Sequence, residues 1–265
     1  TALNNYFISS NKICSTEQNR GAKRMSEKDY ILRVLDLNEN TKKDKFLEIR
    51  VNNLISQYEA RGLNTQLVKK LLISFYSNSN AILSSVTITN NSAGDGGGIY
   101  CFESSPTITN CTITENEALN DGIYNGGGGI RCQSSSLIIA NCTISGNTTN
   151  SRGGGIYSYD SSPTITNVTI SGNTAPESGG GIFMEESDPI ITGCTITSNE
   201  AGDNSGGIRI KNSSPHINYS IISDNFASVE GGSMKVTGSS PTIVNCTIVD
   251  NISDACASAL FQFNE

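Results

Sequence analysis

Apolar residues recur along this chain at two scales. At short range they alternate with Thr or Ser, as in Thr107-Ile108-Thr109 and Cys111-Thr112-Ile113-Thr114. A period of two predicts β-strands with one face buried. At long range the string Gly-Gly-Gly-Ile-Tyr returns, with variants, around Ile99, Ile130, Ile156, Ile182, Ile208 and Met234. A second string, Ser-Ser-Pro-Thr-Ile-Thr-Asn-Cys-Thr-Ile-Thr-x-Asn, returns in phase with it. It places Ile108, Ile139, Ile165, Ile191, Ile217 and Ile243 in one column and Ile88, Ile113, Ile144, Ile170, Ile196, Ile222 and Ile248 in the next. The steps of the first string are 31, 26, 26, 26 and 26 residues, and the long one carries an insertion near Leu119–Tyr124.

Each unit holds three predicted strands, in the first clear copy Gly98–Phe102, Pro106–Thr109 and Cys111–Thr114. Such a unit has no room for a crossover helix. A stack of parallel coils about 4.8 Å apart satisfies the pattern, with equivalent residues directly above one another. Asn91, Asn116, Asn147, Asn173, Asn199, Asn225 and Asn251 form one such column. Their amides can bond to one another and to turn backbone at an inner corner. Val86, Cys111, Cys142, Val168, Cys194, Ser220 and Cys246 form a small interior slot. Because Val, Cys and Ser interchange there, the cysteines read as free thiols filling space. The expected fold is all-β: a single-stranded parallel β-helix of about seven coils over residues 71–265.

Residues 1–70 break the pattern. Phe46, Ile49, Val51, Leu54, Ile55 and Tyr58 fit one helical face, and Tyr30, Ile31, Val34, Leu35 and Leu37 suggest another. A short α-helical segment capping the first coil is expected, with a separate small module as the rival. Asp36–Asn40 looks like the start of an EF-hand loop, but Thr41 stands where Gly is required and Leu47 where Glu is required. At the other end, Leu260–Phe263 reads as the first strand of a further coil. A bare coil exposes unpaired backbone, so the natural protein is expected to continue past Glu265.

Composition narrows the function classes. The chain has 265 residues, 36% of them hydrophobic and 16% charged, with no Trp. Residues 1–80 hold 13 of the 18 Lys and Arg, which leaves an acidic body with five basic and 17 acidic residues. An acidic body repels nucleic acid. No apolar run approaches the roughly 20 residues of a membrane span. Tetrahedral metal binding is disfavoured, because a straight ladder of cysteines does not surround an ion. Asn-x-Ser/Thr sequons at Asn110, Asn141, Asn167 and Asn245 are generated by the repeat itself.

The repeat over residues 73–265 resembles the right-handed parallel β-helix family, which has the pectate-lyase-like fold. The pieces Ser145-Gly146-Asn147 and Ser171-Gly172-Asn173 also resemble repeats of polymorphic outer-membrane proteins. The resemblance implies the right-handed twist of the coils. It leaves activity open, since the fold hosts lyases, hydrolases, adhesins and fibres.

Function is expected on the outward face of the first strand. One position after its isoleucine the stack reads Tyr100, Arg131, Tyr157, Phe183, Arg209, Lys235. Three positions after, it reads Phe102, Gln133, Tyr159, Glu185, Lys211, Thr237. Aromatic faces stack on sugar rings, and Arg and Lys pair with carboxylates or sulfates. Tyr100, Phe102, Arg131, Tyr157, Tyr159, Phe183, Arg209 and Lys211 are therefore the candidate carbohydrate-binding residues. An ordinary exposed strand face explains the same residues without a ligand. Asp160, Glu185, Glu186 and Asp188 adjoin this face. The lyase branch of the resemblance implies calcium held by such carboxylates, with Arg131 or Arg209 as the base. Asp160 and Glu186 are the catalytic candidates among them; inverting hydrolysis would need two carboxylates roughly 6.5–9.5 Å apart across a bound sugar, and no motif fixes such a pair. The single His216 reads as plain surface.

The leading expectation is a non-catalytic secreted or cell-surface protein that binds a polysaccharide or cell-surface glycan, or acts as an adhesin, and needs no cofactor. The alternatives are a polysaccharide lyase or glycoside hydrolase, a structural stalk, and an ice-binding surface built from the outward Thr columns of the third strand.

Overall fold

The computed structural model describes residues 81–119 and 126–263. The expected helices of residues 1–70 and the strand at Ile73–Phe75 lie outside them. The described residues form a parallel β-solenoid of four sheets, each with seven strands. Every pairing is parallel and joins equivalent positions of successive coils. The steps are those of the repeat: Ile88 pairs with Ile113, Ile113 with Ile144, Ile144 with Ile170 and Ile170 with Ile196.

Each coil carries one strand more than expected. Besides β4 (Ile99–Phe102), β5 (Thr107–Thr109) and β6 (Thr112–Thr114), a two-residue strand, β7 (Glu117–Ala118), follows the asparagine. Its copies pair into a sheet of their own. Two residues are too few for any alternation to register, so this element left no periodic signal.

The tube interior is built from the predicted isoleucine columns. Ile108, Ile139, Ile144, Ile156, Ile196 and Ile217 are fully buried. The polar corners are satisfied by ladders. Asn173 Oδ1 accepts from Asn147 N at 3.0 Å and from Asn147 Nδ2 at 2.9 Å, while Asn173 Nδ2 donates to Ile144 O and Asn199 Oδ1. Both lone pairs and both amide hydrogens are thus used. A second ladder went unread in the sequence. Ser104, Ser135, Ser161, Ser187 and Ser213 each donate a backbone N–H to the next serine Oγ, ending on Ser239, at 2.9–3.1 Å. Its signal was the first Ser of the repeated Ser-Ser-Pro.

The corners turn through the left-handed region. Asn110, Asn141, Asn167, Tyr219 and Asn245 have φ of 50–53°. Glu103, Ser134, Asp160 and Glu186 do so in another column, with φ of 48–52°. Gly96, Gly153, Gly179 and Gly231, each the first Gly of its run, turn through the same region at φ of 55–67°, and the later glycines have a further role. A Cβ on Gly155 would lie 2.6 Å from Gly181 O, so the backbone approach there excludes any side chain.

Candidate functional site

The outward columns of β4, β8 (Ile130–Gln133), β12 (Ile156–Tyr159), β16 (Ile182–Glu185), β20 (Ile208–Lys211) and β24 (Met234–Thr237) form one continuous sheet face. Parallel register places Tyr100, Arg131, Tyr157, Phe183, Arg209 and Lys235 in a single row. The row is outward, as expected, but it is not open. Tyr157, Phe183, Arg131 and Arg209 have relative exposures of 0, 2, 5 and 8%. That corrects the expectation of a solvent-facing aromatic surface.

The physical reason lies in how the row packs. The Arg131 guanidinium is sandwiched between the rings of Tyr100 and Tyr157, at 5.3 and 5.4 Å from their centroids. Stacked planar cations and rings at one-coil spacing bury one another. Tyr157 and Phe183 meet edge to face at 5.2 Å. Arg152 lies over Phe183 at 5.4 Å.

Charges at the preceding corner complete the layer. Arg131 Nη1 binds Asp95 Oδ1 at 2.6 Å, and Arg131 Nη2 binds Gln133 Oε1 at 3.0 Å. Tyr100 donates to that same Gln133 oxygen at 3.2 Å. Arg152 Nε meets Glu177 Oε2 at 2.7 Å, and Lys235 pairs with Glu230. Asp95, Arg152, Glu177 and Glu230 were not among the predicted site residues. Their signal was available: Asp95, Arg152 and Glu230 stand immediately before the Gly runs.

Glu185 is the buried centre of this layer, 5% exposed. Its Oε1 takes Lys211 Nζ at 2.6 Å. Its Oε2 accepts from Tyr157 Oη at 3.4 Å and faces Arg152 at 4.0 Å. Burial, reinforced by the Glu185 charge, pushes the Tyr157 phenol above its usual pKa. Burial lowers the Arg209 guanidinium to about 10, against the pull of Glu185. Arg209 Nη1 donates to the carbonyls of Ile210 and Lys235 at 3.0 and 3.3 Å.

The acidic residues do not converge. Glu185 is turned into the stack and neutralised by Lys211. Asp160 and Glu186 are stacked and exposed one coil apart, as expected, and Asp160 accepts from Ser134 Oγ at 3.0 Å. Asp188 Oδ1 accepts from the backbone N–H of Ser214. Among the described residues no three His, Cys, Asp or Glu side chains are grouped to hold a metal. Also among the described residues, no helix is long and apolar enough to cross a membrane.

What remains accessible on this face belongs to the second column. Phe102 is exposed, and Gln133, Tyr159 and Lys211 are partly so. They rise as a ledge beside the packed row.

A parallel solenoid with inward Ile columns and Asn ladders defines the class of β-helix proteins. A family model described as a right-handed beta helix region matches residues 120–261. The chain belongs to that family, and its coils are right-handed. Residues 85–101 match the Chlamydia polymorphic membrane protein repeat, in line with the resemblance of the Ser-Gly-Asn pieces. No curated protein and no solved structure matches the chain.

Proposed function

We propose that this chain is a non-catalytic stretch of a surface-displayed β-helix that contacts acidic polysaccharide along the ledge of Phe102, Tyr159 and Lys211. One observation carries the reading. These side chains stand two coils apart, roughly 10 Å, over a layer whose own charges are mutually paired. Two aromatic rings at a fixed spacing suit a repeating chain of sugar rings, and Lys211, which shares its charge with Glu185 at 2.6 Å, borders them. The pre-ordered layer beneath lowers the entropy lost on binding. Surface display is supported by the polymorphic membrane protein repeat at residues 85–101.

Glycan arrays and affinity gels test it. Retention on acidic glycans is expected. Phe102→Ala with Tyr159→Ala should weaken it by about 1–3 kcal/mol, the scale of anchoring aromatic contacts. Unchanged retention of the double variant, or no retention of the wild type, removes the ledge as a binding surface. Calcium-dependent release of ultraviolet-absorbing unsaturated ends from pectate or alginate would instead make the protein a lyase.

A further inference from the structure

The ledge alternates from coil to coil. Parallel register puts Phe102, Gln133, Tyr159, Glu185, Lys211 and Thr237 in one column along the stack. Phe102, Tyr159 and Lys211, at every second place in that column, each keep accessible surface. The residues between them are held down. Gln133 Oε1 is tied to Arg131 Nη2 and to Tyr100 Oη, at 3.0 and 3.2 Å. Glu185 and Thr237 are each 5% exposed. Neighbouring strands lie about 4.8 Å apart, so the column offers contact with a period of about 9.6 Å. The row beside it has no such alternation, because its consecutive residues pack on one another.

Resting on the reading of the ledge as a polysaccharide site, we infer that it selects one class of acidic chain: a flat two-fold ribbon of 1,4-linked uronate rings with diequatorial linkages, laid along the stack axis. The reason is one of symmetry. In an extended 1,4-linked chain each ring advances by about one coil of the stack. Diequatorial linkages turn successive rings over by half a turn. The first and third rings then present the same face, and their carboxylates leave on the same side. Aromatic side chains fixed on one side of such a ribbon meet like faces at every second sugar, which is the spacing of Phe102 and Tyr159.

A chain with a three-fold twist, such as polygalacturonate, repeats its face at every third sugar. It would match aromatic residues three coils apart, and three coils from Phe102 stands the buried Glu185. Lys211 falls two coils beyond Tyr159, where the fifth ring of a two-fold ribbon presents the same edge as the first and third. Its ammonium group gives one hydrogen bond to Glu185 at 2.6 Å and has two further donors for a ligand carboxylate. From Phe102 to Lys211 is four steps of the stack, about 19 Å, so five sugars fill the ledge.

The test titrates the full chain, in calcium-free buffer, with oligomannuronates of two to six sugars and with the galacturonate hexamer. Mannuronate forms the diequatorial ribbon, and the two hexamers carry the same charge. Affinity should step up from two to three sugars, as the second aromatic ring is reached, and again from four to five, at Lys211. Little should be gained between three and four. The mannuronate hexamer should bind about tenfold tighter than the galacturonate hexamer, the scale of one stacked ring. Tyr159→Ala should lose the step at three sugars and most of that preference, whereas Tyr159→Phe, which keeps the ring, should retain both. Equal affinity for the two hexamers, or an affinity that climbs evenly with each added sugar, overturns the two-fold match and leaves the ledge a polysaccharide site. Binding of neither hexamer overturns this inference and the polysaccharide reading together.

Discussion

Asn173 gives two hydrogen bonds to a single oxygen of Asn199: its backbone N–H at 3.0 Å and its Nδ2 at 2.9 Å both donate to Asn199 Oδ1. The same pair of bonds recurs from Asn91 to Asn251. Each side chain thereby satisfies the corner of the coil before it.

Asn173→Leu should be among the most damaging substitutions in the chain. It strips the acceptor from Asn147 N and Nδ2 and the donor from Ile144 O. Each buried unsatisfied group costs about 1–3 kcal/mol, so a loss of several kcal/mol is expected. Thr169→Leu, four residues earlier and exposed, should change stability by less than about 0.5 kcal/mol. Urea melts of the two variants compare them directly. Equal losses would place Thr169 inside the tube.

Tyr157→Ala should unfold the protein more readily rather than only weaken a ligand. The ring is fully buried between Arg131 and Phe183, and loss of such an aromatic costs about 3–5 kcal/mol. Tyr159→Ala, one strand position beyond its inward neighbour, should cost about 1 kcal/mol or less. Thermal melts run beside glycan retention separate packing from recognition.

Stability should fall at alkaline pH. The folded-state pKa of Tyr157 lies above the ordinary phenol value of 10.0, first through burial and then through Glu185. Its contribution is therefore complete below pH 10 and is lost as pH rises beyond it, by at most about 1.4 kcal/mol per pH unit. Denaturation midpoints between pH 8 and 11 should show this decline, with a shallower slope in Tyr157→Phe. Identical slopes would mean that the phenol titrates freely in the fold.

Two corner substitutions should respond in opposite ways. Gly155→Ala sets a Cβ against Gly181 O and should destabilise the stack strongly. Glu186→Gly, at φ 52°, relieves a left-handed residue by about 1–2 kcal/mol. Greater freedom of Gly in the unfolded chain offsets about 0.5–1 kcal/mol of that. A midpoint unchanged or slightly raised is expected for Glu186→Gly.

Much of this fold was legible before any coordinates. Ile108, Ile139 and Ile165 lie one above another because the register repeats the sequence period, and the Asn ladder follows from the same arithmetic. The serine ladder shared that period. It went unnoticed because Ser in a Ser-Ser-Pro string looks like turn chemistry rather than a stacked interior row. The β7 strands were missed for want of length.

The sequence by itself determined the coil period, the parallel register and which side of each strand faces the tube, since alternation and repetition are properties of the chain. Only the tertiary structure decided whether an outward position is open. Arg131 and Tyr157 face away from the core yet are buried, because Tyr100 and Asp95 reach Arg131 from other parts of the stack and Phe183 lies against Tyr157. It also decided that Glu185 is turned toward Lys211 and Arg152 instead of joining Asp160 and Glu186. Burial and charge pairing arise between coils, and a one-dimensional period records which residues become neighbours but not how their side chains fill the space between them.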